Sequence, residues 1–171
     1  MNHLAIGVIH TEKYPDRFER IYNGWGKDFK KHIYFFSDHA NESTNTIQIT
    51  SDKSYHGHVM KTKDGFKWFH NNKSNDYKWF MMIDDDTYVF VEALLDFVKT
   101  LDNHESDVAY GTLINAWAQD SSLYYFSGGA GYILSRKTLS TIYKDLDKTP
   151  TICGDVNIGY ILRDNEIEQN N

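Results

Sequence analysis

Three consecutive carboxylates, Asp84-Asp85-Asp86, close the apolar run 79–83. Side chains alternate along an extended chain, so Asp84 and Asp86 are expected on one side, with backbones ~6–7 Å apart, and Asp85 on the other. Acids packed together repel unless a cation, hydrogen bonds or water offset the charge, and a hard divalent ion with oxygen ligands does so. The same pattern also serves as a solvated acidic turn before a helix, with Asp at the positive end of the helix dipole. A calcium loop of the EF-hand type needs Gly six positions in, where Val89 stands, and it fails. An Asp-x-Asp-x-Thr phosphatase pattern needs Thr or Val where Tyr88 stands, and it fails as well. A nucleotide-sugar site, with one carboxylate for a metal and another near the ribose, is compatible with the spacing.

Two further segments carry chemistry. Gly128-Gly129-Ala130-Gly131 lies between Phe126 and Tyr132. Glycines let a ligand approach the main chain closely, and no Gly-Lys-Ser/Thr follows to make a phosphate-cradling loop. By itself the segment reads as a tight turn between a strand and a helix. Asp155 stands alone at the start of an apolar stretch; it reads as a helix N-cap or, if the fold brings it near the triplet, as a general base.

These residues need elements to position them. Residues 4–9, 32–36, 46–49, 79–83, 108–112 and 124–126 read as strands. Phe18, Ile21, Tyr22 and Trp25 fall at i, i+3, i+4 and i+7, predicting a helix from Pro15 to Gly24 or Gly26. Val59, Phe66 and Phe69 suggest a second helix over 57–71, interrupted in composition by Gly65. Val91, Leu94, Leu95, Val98 and Leu101 predict a third. A fourth is capped by Ser135 with Leu139, Ile142, Tyr143 and Leu146 inward, and a fifth follows Asp155. Strands alternating with helices predict an α/β fold on a mainly parallel sheet. Ligand sites in such sheets lie at the carboxyl ends of strands, where the triplet sits.

The 171 residues fit one compact domain. With 40% hydrophobic residues the chain is too apolar for disorder. The 24 acidic residues against 18 basic ones give a net charge of −6, which argues against a nucleic-acid partner. A single cysteine, Cys153, excludes an internal disulfide and a multi-cysteine zinc site. No run approaches the ~20 apolar residues of a membrane span, and the N-terminus lacks the pattern of a signal peptide. A cytoplasmic location is expected if Met1 is the native start.

Residues 78–89, 127–135 and 154–160, in that order and spacing, resemble the corresponding motifs of the fringe-like glycosyltransferases. With the core-1 galactosyltransferases these make up glycosyltransferase family thirty-one. The strand ending His10-Thr11, Arg17 eight residues before Trp25, and the strand ending Phe36-Ser37-Asp38 are similar too. The resemblance runs from about residue 4 to 164. It implies a GT-A, Rossmann-like single domain over 1–171, dependent on Mn²⁺ or another divalent cation. The implied reaction is inverting transfer of a hexose or N-acetylhexosamine from a UDP-sugar to a glycan or glycoprotein hydroxyl, of the beta-1,3 type. If an anchor was trimmed away, the resemblance implies the Golgi lumen as the location. Carried over, Asp86 binds the metal, with Asp84 or Asp85 contacting ribose or supporting that metal. Thr11, Arg17 and Asp38 line the uridine and phosphate end. Gly128, Gly129 and Ala130 wall the sugar, and Asp155 is the catalytic base. Trp117, Tyr124, Tyr125 and Phe126 are candidates for stacking on the acceptor, or else core and rim aromatics.

The chain departs from the family pattern in two ways. Members continue past the catalytic acid into a segment whose His completes the metal shell, whereas sixteen residues and no His follow Asp155 here. All eight histidines precede Asp155 and read as surface or core imidazoles. Gly154 replaces the usual acid, and the luminal disulfides cannot form. The rival expectation is therefore a non-catalytic glycan- or nucleotide-binding relative that keeps the fold.

Overall fold

The computed structural model describes residues 2–116 and 120–171. In chain order its strands are β1 (Asn2–Ile9), β2 (Ile33–Ser37), β3 (Thr46–Gln48), β4 (Tyr77–Asp84), β5 (Val108–Gly111), β6 (Leu113–Asn115), β7 (Tyr124–Phe126), β8 (Tyr132–Ser135) and β9 (Glu168–Asn170). The α-helices are α1 (Pro15–Glu19), α2 (Tyr55–Lys73), α3 (Val91–Thr100), α4 (Arg136–Ile142) and α5 (Gly154–Asp164).

Seven strands pair in the order β3-β2-β1-β4-β8-β5-β9, while β6 and β7 form a separate antiparallel ribbon. The pairs from β3 to β4 are parallel, β8 is antiparallel to both its neighbours, and β9 is parallel to β5. This is the mixed, mainly parallel α/β architecture expected for a GT-A-like chain. Alternation along β1 sends Leu4, Ile6 and Val8 to one apolar layer, against α3 and Ile21. It sends Ala5 and Ile9 to the other, under α2, α4 and α5. With both faces covered, the central strands are near-continuous apolar runs.

Ser54 caps α2 by accepting the His56 N–H at 3.2 Å, and the helix runs across Gly65 without a break. The glycine is there for packing, because a Cβ at that position would stand 2.6 Å from the Phe36 ring. The predicted first helix divides differently: α1 ends at Glu19, and a wider helical turn carries the chain over Arg20–Trp25, with Gly24 outside helical geometry.

Three expectations are corrected. The glycine segment turns between two strands, β7 and β8, and not into a helix; Gly131 has φ +79° and its N–H bonds the Gly128 carbonyl at 3.0 Å. Asp155 does not cap α5, because Cys153 holds the cap position and Asp155 lies within the first turn. Finally, β4 ends at Asp84, where the Thr87 N–H bonds the Asp84 carbonyl at 3.2 Å. Extended alternation therefore stops before Asp85.

Candidate active site

The carboxyl ends of β1 and β4 lie side by side, with Ile9 opposite Asp84. Because β8 runs the other way, the turn that precedes it, residues 128–131, reaches the same edge of the sheet. The N-terminal turns of α2 and α5 arrive there as well. Together they bound a cleft of about 400 Å³ whose lining includes Thr11, Arg17, Asp84, Asp85, Asp86, Gly128 and Asp155.

Within it the triplet splits by partner. Asp84 Oδ1 accepts from His58 Nε2 at 2.9 Å. Asp85 is buried and accepts from His10 Nδ1 at 3.0 Å and from the Arg17 guanidinium at 2.8 Å. Arg17 also lies 3.3 Å from the exposed carboxylate of Asp86. The turn thus places Asp85 and Asp86 together on the Arg17 side and leaves Asp84 to α2, the reverse of the pairing that strand alternation predicts. Burial pushes the Asp85 carboxyl up, but the hydrogen bonds from His10 and Arg17 outweigh it and hold it below the ordinary range. The bond to Asp85 in turn raises the Arg17 pKa. Asp85 therefore acts as the anchor that aims a permanent cation at the cleft, with the guanidinium over the Tyr14 ring at 4.5 Å.

Asp38 lies beneath the cleft and not on its wall. It is buried and accepts from Thr11 Oγ1 at 2.5 Å, the Glu12 N–H at 3.1 Å and Lys61 Nζ at 3.1 Å. Burial raises its carboxyl, and these donors together override that and bring it down to about 2. Of the glycine turn, Gly128 lines the cleft; Gly129 and Ala130 are exposed, and the Gly129 carbonyl accepts from Thr87 Oγ1 at 2.9 Å. Asp155 accepts the Gly128 N–H at 3.1 Å and the Val156 N–H at 2.8 Å. The wall and the acid are thereby locked to one another.

A hard divalent cation needs carboxylate oxygens that are not already consumed. Asp86 qualifies, because it is 60% exposed and, among the described residues, its ion-pair contact is with Arg17 alone. Among the described residues, the tight three-ligand grouping is Glu12, Asp38 and His39, whose donor atoms lie within 4.8 Å of one another. Its members are already engaged, Asp38 by Lys61, Glu12 by Lys53 at 2.9 Å and His39 by Ser37 Oγ at 3.0 Å. The donor chemistry thus fits a cation at Asp86, completed by oxygens from a ligand, better than one in that cluster.

His10, His58 and Lys61 are in the site and were not read from the sequence as functional. Lys61 and His58 stand three residues apart on α2, so they share one face of it; a lysine buried within a helix that also buries Val59, Phe66 and Phe69 is a feature that sequence alone does not show. Among the acceptor-side candidates, Tyr124 is exposed and Tyr125 half-buried. Phe126 is core, 2% exposed and stacked on Tyr132 with ring centroids 6.1 Å apart. As the inward residue of β7 it is a core aromatic, the second of the two readings given for it, and it cannot stack on an acceptor. Trp117 lies outside the described residues. No helix among the described residues is long and apolar enough to cross a membrane.

Residues 1–166 match the family described as Fringe-like. Among curated proteins, the chain is 34% identical to "Beta-1,3-N-acetylglucosaminyltransferase radical fringe" of Xenopus laevis, over 78% of this chain and 44% of that protein. It is 29% identical to "Glycoprotein-N-acetylgalactosamine 3-beta-galactosyltransferase 1" of Xenopus laevis, over 70% and 32% respectively. It is 24% identical to "Beta-1,3-glucosyltransferase" of Mus musculus, over 80% and 28%. The chain therefore spans less than half the length of each of these relatives.

Proposed function

The chain belongs to the Fringe-like family, and on that premise we propose that it is an inverting glycosyltransferase. It moves a hexose or N-acetylhexosamine from a UDP-sugar to a hydroxyl of a glycan or glycoprotein, with a divalent cation such as Mn²⁺. The observation that carries this reading is the convergence of Arg17, Asp86, Gly128 and Asp155, from four separate stretches of chain, on one cleft.

Arg17, held by Asp85, faces the diphosphate with a fixed cation and a planar set of donors. Thr11, itself bonded to Asp38, borders the nucleotide end. Asp86 supplies carboxylate oxygen to the cation, which when bound neutralises charge on the leaving diphosphate as a Lewis acid. Gly128, having no side chain, lets the sugar lie against the main chain beside Asp155. Asp155 accepts the proton of the acceptor hydroxyl as general base; its two backbone N–H bonds, from Gly128 and Val156, fix the carboxylate against the glycine turn. Tyr124, exposed on the ribbon next to α5, is suited to stack on an acceptor sugar.

The test is thermal stabilisation by UDP, with Mn²⁺ or with EDTA, on the chain and on Asp86→Ala. A ligand that binds only the folded state raises the melting temperature. A Mn²⁺-dependent shift that Asp86→Ala abolishes is the expected result. No shift at millimolar UDP would refute the donor site. A shift that never leads to release of UDP from a UDP-sugar would favour a binding protein that keeps the fold.

A further inference from the structure

Beneath the cleft lies a second, much smaller cavity of about 10 Å³, lined by His58, Thr62, Asp84, Gly128, Tyr132 and Asp155 together with apolar side chains. Its size is at the lower limit for one water molecule and excludes a second. Two of the residues around it carry unmatched polar atoms. Among the described residues, the Tyr132 hydroxyl and His58 Nδ1 are both buried without a hydrogen-bond partner, and Tyr132 as a whole is only 2% exposed. Leaving either atom unpaired forfeits its hydration with nothing in return. Two such atoms around one cavity therefore point to a shared partner.

We propose that one water molecule is bound in this cavity, accepting from the Tyr132 hydroxyl, donating to His58 Nδ1 and directing its second hydrogen to the Asp155 carboxylate. This site goes beyond the transferase reading and does not depend on it. Three partners are the usual number for an interior water. Asp155 has acceptor capacity left, since each of its oxygens takes one backbone N–H. The arrangement also dictates the histidine tautomer. With Nδ1 accepting from water, the ring proton sits on Nε2, where it is donated to Asp84 Oδ1 at 2.9 Å. The water thus ties the two acidic walls of the cleft, Asp84 through His58 and Asp155 directly, into one hydrogen-bonded unit. Burial, with the charges of Asp155 and Asp84 nearby, keeps the Tyr132 hydroxyl protonated and able to donate.

The experiment is a crystal structure of the full chain at a resolution that places ordered solvent, paired with Tyr132→Phe, which removes one oxygen and leaves the packing. The expected result is a single solvent peak within hydrogen-bond distance, about 2.7–3.2 Å, of Tyr132 Oη and His58 Nδ1, and its loss in the variant. A dry cavity overturns the proposal, as does a peak that survives unchanged in Tyr132→Phe. Nitrogen-15 NMR of His58 in the metal-free chain is the second measurement. A protonated Nε2 and bare Nδ1 are expected, and the opposite tautomer overturns the assignment. Neither readout requires UDP-sugar turnover, so a failure here is distinct from a failure of the transferase reading.

Discussion

Lys61→Met tests the buried ion pair that lies beneath the cleft. Lys61 Nζ and Asp38 Oδ2 are 3.1 Å apart, with side-chain exposures of 4% and 0%, so the pair is screened from water. Removing one partner of a buried pair costs roughly 3–5 kcal/mol, because the other charge is left without compensation. Asp38 keeps the Thr11 hydroxyl and the Glu12 N–H, which puts the expected loss at the low end, about 3 kcal/mol. For a chain of this size that is a fall in Tm of roughly 6–12 °C. The assay is urea denaturation at pH 7, run on Lys61→Met and on Lys61→Met with Asp38→Asn. The double variant removes the stranded charge, so it should be more stable than the single one. A single-variant loss below about 1 kcal/mol, or a double variant no better than the single, would refute the reasoning. The pH dependence has a fixed direction. Asp38 titrates in the folded chain near 2, below its ordinary 3.8, so its contribution is complete above about pH 4 and is lost as pH falls through 2. Without Lys61 the depression is smaller, and the gap between variant and wild type must narrow on acidification.

Asp155→Asn should abolish sugar transfer while Mn²⁺-dependent stabilisation by UDP persists; transfer at the wild-type rate would remove Asp155 from the role of base. Phe126→Ala should cost about 3–5 kcal/mol in urea denaturation. Tyr124→Ala, at an exposed position two residues away on the same short strand, should stay within about 0.5 kcal/mol and instead weaken use of the acceptor, read as a raised acceptor KM.

Much of the frame was legible because its signals are local. The apolar runs of β1, β2 and β4, the Ser135 cap and the periodicity of α3 each declare an element within ten residues. The polar edge strand β9 carries no apolar alternation, and its pairing with β5 is set by the whole sheet, so it was silent. The short β8 was absorbed into the glycine segment because Tyr132 and Ser135 resemble a helix approach as much as a strand. In the site, residue types and order pointed to the triplet, Arg17 and Asp155 through resemblance to a family. What the sequence could not supply was partnership. Asp85 reads like its neighbours until the turn after Asp84 hands it to Arg17 and His10. Lys61 and His58 matter only because α2 lies across the ends of β1 and β4.

The position of β1 inside the sheet, between β2 and β4, also sets the order in which the molecule can be made. Its pairing with β2 closes soon after synthesis, across about 25 residues, but its other edge must wait for β4, and the His10–Asp85 contact spans 75 positions. At roughly 5–20 residues per second, that leaves an apolar strand with one open edge for about 4–15 s. Contacts of such long range slow folding and lengthen exposure to misassociation. The cleft, which draws on β1, β4 and α5, is complete only once α5 has emerged. Ligand binding at that cleft therefore reports on the arrival of α5 beside the ends of β1 and β4, and slowed synthesis or lower temperature should raise the yield of binding-competent protein more than the yield of total protein.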